Sequence, residues 1–242
     1  MRSADVGRVV ALWRYPVKSM AGEHLEAVDV SWHGLAGDRR WAFVRDGLER
    51  SDFPWLTIRE RPDMWHYRPS FRDPGLPDVS PTAVRTPAGD ERDGAEAARA
   101  AELGTGVRDI TLQRGVFDTM PLALITTQSI ASLGSVLDRE LDVRRFRPNL
   151  LIEAAGDAAF PEDAWVGRVL RIGAMRMRVD KRDQRCVMVN VDPESTDRDP
   201  AILRAIAGER QACLGVYGST VQPGRLAVGD RVCIEDAGPD AG

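Results

Sequence analysis

The chain has 242 residues, of which 43 % are hydrophobic and 29 % charged, with a formal net charge of −4. This is apolar material for one large or two small packed domains, and the acidic balance excludes a broadly basic nucleic-acid binder, so any anion site must be a local cluster of positive groups. Cys186, Cys213 and Cys233 have no CxxC spacing and are odd in number, which argues against a disulfide framework, and three scattered histidines give no zinc pattern.

The first third reads as β. "VGRVVALWRYP" predicts a strand ending at Pro16, with Lys18 and Ser19 in the loop beyond it. "LEAVDVSW" puts Val28, Val30 and Trp32 on one side of a second strand, and "HGLAGDRRWAFV" is a turn feeding a third. Alternation there aims one of Arg39 and Arg40 at the core, where it needs a partner. Residues 69–106 are rich in Pro, Asp and Gly apart from a short Ala-rich helix pattern in "GAEAARAAEL", which suggests a boundary between domains 1–100 and 101–242.

The second part mixes short strands with two helices. "SIASLGSVLDREL" has Ile130, Leu133, Leu137 and Leu141 at helical spacing, with Thr126 or Thr127 as the N-cap. "LLIEA" is a buried strand, and "RVLRIGAMRMRVD" a hairpin bent at Gly173 with Met175, Met177 and Val179 on one face. "DRDPAILRAIAGE" opens a helix at Pro200 and ends it before Gly208, and "LAVGDRVCIED" closes as a turn and a last strand. Many short strands with few helices give a mainly β, α+β fold of the barrel type. No nucleotide loop, 18-residue apolar run or cleavable leader pattern occurs, so a cytoplasmic protein with no membrane or nucleic-acid partner is expected.

Cys186 stands out in "DKRDQRCVMVNVDP", where Lys181, Arg182 and Arg185 crowd it. Nearby cations favour a thiolate, the soft metal ligand and nucleophile; the alternative is a small buried residue opening a strand. Arg59 in "TIRERP", and Arg145, Arg147 and Asn149 in "RRFRPNL", add groups at strand ends that suit phosphate or the oxygen-rich edge of a pterin. Pro148 predicts an extended Arg147.

The motifs "LWRYPVKSM", "GLAGDRRWAFV", "TIRERP", "DTMPLALITTQSIASL", "RFRPNLLIE", "RCVMVNVDP" and "LAVGDRV", in this order, resemble the MOSC family, which includes the amidoxime reducing components. The resemblance implies a MOSC N-terminal β-rich domain followed by a MOSC β-barrel, with a molybdenum–molybdopterin cofactor between them. By motif, Cys186 would be the thiolate ligand of molybdenum. Lys18, Ser19, Arg39, Arg59, Arg147, Asn149 and Arg185 would hold the cofactor, and Thr126, Thr127 and Ser129 would add hydroxyls. The implied reaction is reduction of a small N-hydroxylated (N–O) substrate, the metal cycling between Mo(IV) and Mo(VI). An acid must protonate the departing oxygen, and Asp192 is the candidate by position, although Asp before Pro is also a turn former. Electrons would come from a separate protein, since no ferredoxin-like cysteine spacing occurs. The chain departs from its relatives at Asn190 and in "ESTDRD" after "VDP". The alternative role is a persulfide or cofactor carrier without turnover of its own.

Overall fold

The computed structural model describes residues 3–48, 50–94, 107–112 and 115–235. Its first strands are β1 (Ser3–Arg14), β2 (Glu23–Leu25), β3 (Ala27–Ser31), β4 (Gly34–Leu35) and β5 (Trp41–Arg45). Then come β6 (Arg68–Phe71), β7 (Thr82–Arg85), β8 (Glu91–Asp93), β9 (Val107–Thr111) and β10 (Leu122–Thr126). Helix α1 (Thr127–Val136) leads to β11 (Leu150–Ala154), β12 (Val169–Ile172) and β13 (Met175–Gln184). Helix α2 (Pro200–Arg210) precedes β14 (Cys213–Gln222), β15 (Gly224–Ala227) and β16 (Arg231–Glu235). The protein is mainly β with two α-helices among the described residues.

Seven strands, in the order β11-β10-β14-β13-β12-β16-β1, close into a barrel through the β1–β11 pairing, and β2 adds to the outside of β1. Strict alternation builds its wall: in β13, Met175, Met177 and Val179 are fully buried while Arg176 and Arg178 face outward. With Leu12, Leu124, Leu150, Ile152, Leu170 and Val216 they fill the lumen, so the barrel interior is a packed core.

A second core (Val17, Met20, Phe43, Ile58, Met64, Trp65, Tyr67, Val84) belongs to the N-terminal β-rich region. The Pro- and Gly-rich text there contains the three-stranded sheet β6-β7-β8, and the Ala-rich pattern at 95–103 lies outside the described residues. A third core joins both helices to the barrel through Ile125, Leu133, Phe146, Ile202, Ile206 and Leu214.

Thr126 caps α1, accepting from the Ser129 N–H at 3.2 Å, as the sequence pattern predicts. The helix ends at Val136 rather than continuing through Leu141, because the Gly134 carbonyl receives the Leu137 and Arg139 N–H groups. In α2, Gly208 lies inside the helix instead of beyond it, and Gln211 in the left-handed conformation (φ 55°) closes it. The apolar run after Cys186 is a 3-10 turn (Val187–Asn190), not a strand: its N–H groups bond locally, Val189 to the Cys186 carbonyl and Val191 to that of Met188.

Candidate functional site

The pairings set the end of β1 beside the starts of β10 and β11, Leu12 opposite Leu150 and Leu150 beside Leu124, and β14 carries the second half of β13 alongside β10, with Tyr217 between Ala123 and Lys181. Against this part of the wall, the segments that follow β1, precede β10 and β11 and continue from β13 line a cavity of about 340 Å³. Its lining includes six cationic side chains, Lys18, Arg39, Arg59, Arg145, Arg147 and Arg185, against two carboxylates, Asp118 and Asp183. In a chain of net charge −4 this is a concentrated positive site.

Arg147 is its most constrained member. It is not extended: although followed by Pro148, it sits at φ 49°, ψ 47°. Its guanidinium is stacked 4.1 Å from the Tyr15 ring and 4.7 Å from the Trp65 ring, and Nη1 donates to the Met20 carbonyl at 2.7 Å. Those contacts offset the backbone cost. Nη2 is buried with no hydrogen-bond partner, and so is the hydroxyl of Ser19, itself at φ 68°. Burial lowers the pKa of Arg147 to about 10 and raises that of Tyr15 to about 12, so at neutral pH the arginine stays charged and the phenol neutral, donating to the Pro148 carbonyl.

Arg39 lies on the other side of Tyr15, 4.6 Å from the ring, ion-paired with buried Asp38 and donating to the Arg147 carbonyl at 3.1 Å. Asp38 also accepts the Tyr15 N–H at 2.7 Å. Of the two arginines after it, Arg40 is the buried one and pairs with Asp78, as one of the pair was expected to, while Arg39 is half-buried and lines the cavity. Asn149 is committed to the backbone, donating to the Trp13 carbonyl and accepting the Ala123 N–H, both at 3.2 Å. It positions Arg39, whose Nη1 lies 3.4 Å from its Oδ1.

The third group centres on Cys186. Arg59 Nη2 donates to its Sγ at 3.3 Å and to Asp118 Oδ2 at 3.3 Å, with the guanidinium 5.0 Å from the Phe53 ring. Asp118 also pairs with Lys18. Burial opposes both charges, but Lys18 and Arg59 still hold the Asp118 carboxyl below the usual range. The Lys18 ammonium is lowered, burial outweighing its partner. The cation on the sulfur thus comes from a segment 127 residues away, not from the basic run beside it. Arg182 is occupied with the Arg210 carbonyl and Lys181 is exposed. Arg185 reaches the cavity, but spends Nε and Nη1 on the Leu214 and Phe146 carbonyls at 2.7 Å. Gly215 permits this approach: at φ +75°, a Cβ there would stand 2.7 Å from the Leu124 carbonyl oxygen and 3.1 Å from Arg185 Nη2.

Lys18, Ser19, Arg39, Arg59, Arg147, Asn149, Arg185 and Cys186 therefore converge. Four expected residues do not line this cavity. Thr126 and Ser129 are buried and donate their hydroxyls to Glu162, at 2.7 and 2.6 Å. Thr127 bonds Gln128 at the start of α1. Asp192 forms a turn, accepting the Glu194 and Ser195 N–H groups at 2.9 Å and pairing with Arg145. Burial opposes its charge, but these hydrogen bonds lower its pKa, which ill suits a proton donor. Sequence reasoning missed Asp118, Asp183 and Tyr217, although Asp183 stands in the same "KRDQRC" run.

The sequence profile of the MOSC domain matches residues 111–233, and that of the MOSC N-terminal beta barrel domain matches residues 6–102. The chain belongs to the MOSC family. This MOSC protein is 24 % identical over 291 aligned positions to mitochondrial amidoxime reducing component 2 of Bos taurus, and 25 % identical over the same span to that of Homo sapiens. Each alignment covers 96 % of this chain and 84 % of the relative. The crystal structure of the YUAD protein from Bacillus subtilis superposes with a TM-score of 0.54 at 10 % identity, covering 96 % of this chain and 97 % of that one, which supports the fold alone.

Proposed function

We propose that the cavity holds a molybdenum–molybdopterin cofactor and that the protein reduces small N-hydroxylated compounds with electrons from a separate protein. The observation that carries this reading is the pair of buried, unpartnered donors, Arg147 Nη2 and Ser19 Oγ, in a six-cation cavity that also contains Cys186. An orphaned buried donor costs about 1–3 kcal/mol, which an anionic ligand would relieve. The residues present fit such a group. Lys18, Ser19, Arg39 and Arg147 would hold its phosphate and pterin, Arg59 and Arg185 would balance further charge, and Cys186 would ligate the metal. Distant relationship to the amidoxime reducing components points the same way.

When bound, the cofactor supplies the two-electron chemistry by which R–NHOH, with two electrons and two protons, becomes R–NH2 and water. The chain's own part is positional and electrostatic. Tyr15 and Trp65 fix the plane of Arg147, and Asp38 and Asn149 fix Arg39, so the donors are aimed before ligand arrives. Arg59 faces the sulfur and keeps positive charge beside an anionic ligand atom.

The test is turnover of an N-hydroxylated amidine with an artificial electron donor, using protein from a cofactor-producing host. Cys186→Ser is expected to keep its fold and to lose more in rate than the roughly 10–100-fold typical of losing a hydrogen-bond partner of a metal ligand. A folded, fully active variant would contradict the reading. Labile sulfur on Cys186 with no bound metal would point to the carrier role.

A further inference from the structure

Asp183 is used by nothing described so far. It lines the cavity at the end of β13, 1 % exposed, three residues before Cys186. The other acids around the cavity are firmly paired, Asp118 with Lys18 and Arg59, and Asp38 with Arg39 and the Tyr15 N–H. Asp183 is not. Arg185 Nη2 stands 2.8 Å away, yet neither carboxylate oxygen has a well-formed hydrogen bond to it, because the guanidinium is held by the Leu214 and Phe146 carbonyls. The other groups that act on it are the Tyr217 hydroxyl on β14, which faces it as a hydrogen-bond donor, Arg39 from the turn before β5, and Asp118 from the segment before β10.

A buried carboxylate without strong partners is costly as an anion and inexpensive as an acid. Burial raises Asp183 to about 6 despite Arg185, against an ordinary value of 3.8. An anion entering the same cavity repels the carboxylate and offers an acceptor to its O–H. Both effects favour the protonated acid.

We propose that this cavity takes up its anionic ligand together with a proton, and that Asp183 accepts it. The inference rests on the cofactor reading only in treating the cavity as an anion site. Asp183 then carries a proton in a wall of the cavity whenever the site is filled, and the occupied site has one negative charge fewer to accommodate.

Sulfate is a suitable probe because it remains a dianion across the relevant pH range. Its binding to the full chain would be measured by calorimetry between pH 5.5 and 8 at constant ionic strength, in buffers of differing ionisation enthalpy. The wild type is expected to take up a substantial fraction of one proton per sulfate near pH 7. Its affinity should fall roughly tenfold over the pH range if occupancy raises Asp183 by about one unit. Asp183→Asn mimics the neutral acid: it should bind at pH 8 about as tightly as the wild type at pH 5.5, without that proton uptake. Lys18 remains in both proteins and controls for loss of its own charge. Absence of saturable sulfate binding, binding without proton uptake, or equal uptake by a folded Asp183→Asn variant would each overturn the proposal. The wild-type proton count needs no variant to fold. A chain that binds sulfate with proton uptake but purifies without molybdenum or pterin would lose the cofactor reading and keep this one.

Discussion

Two carboxylates that line the same cavity are perturbed in opposite senses, and their partners and exposure explain why. Asp118 lies between Lys18 and Arg59 and is held below the usual range, whereas burial pushes Asp183 up to about 6 against one misaligned guanidinium and the Tyr217 hydroxyl. The linkage sign follows from the raised value. Protonated Asp183 favours the folded state, a contribution fully present below pH about 4 and lost as pH rises through about 6. Asp183→Asn does not lose it. The stability of that variant relative to wild type should therefore increase between pH 4 and 7, by at most roughly 3 kcal/mol at 1.36 kcal/mol per pKa unit. Urea unfolding at the two pH values checks this, and a constant difference would contradict it. Arg147 makes the same point through shape. A proline after an arginine predicts an extended residue, but stacking between Tyr15 and Trp65 and a bond to the Met20 carbonyl select the left-handed conformation. No local pattern reveals those partners, which lie 132, 82 and 127 positions away.

Elements with strong internal periodicity were legible in the sequence. β13 alternates as Met-Arg-Met-Arg-Val implies, β12 and β13 turn at Gly173, and Pro200 opens α2 after its Asp199 cap. The run after Cys186 was misread because a short apolar stretch fits either a strand or a tight turn, and only the pairing partners decide. The hydroxyls at the start of α1 were open to two readings, ligand donors or helix cap. Their place against Glu162 decides for the cap, which leads to a separable expectation. Thr126→Val removes the cap acceptor and one donor to a buried carboxylate, and should cost about 2–3 kcal/mol of stability. Because Thr126 lies outside the cavity, molybdenum content per folded chain should be unchanged. A selective loss of metal, with melting temperature unaltered, would return these hydroxyls to the site.

Across the molecule, the fold assembles its site from distant pieces of chain. β1 pairs with both β11 and β16 and completes the barrel, although it stands at the start of the N-terminal stretch of sequence, far from the other six barrel strands. A fragment of residues 107–235 would leave the edges of β11 and β16 unpaired and remove Val9 and Leu12 from the lumen. It should be insoluble or aggregate, and adding a peptide of residues 3–14 should improve its recovery. A stable monomeric fragment with native-like near-ultraviolet dichroism would contradict this view of the barrel. The same topology explains why the cavity was only partly legible. Sequence motifs marked its cations singly, but the Lys18–Asp118–Arg59–Cys186 cluster exists only once the barrel closes and brings the connecting segments together. The most direct test is to measure molybdenum and pterin in the full chain purified from a cofactor-producing host, beside Lys18→Ala and Arg147→Ala. Near-stoichiometric molybdenum and pterin in the wild type, with both reduced at least tenfold in folded variants, is the expected result. A folded wild-type chain with neither metal nor pterin would contradict a molybdopterin site.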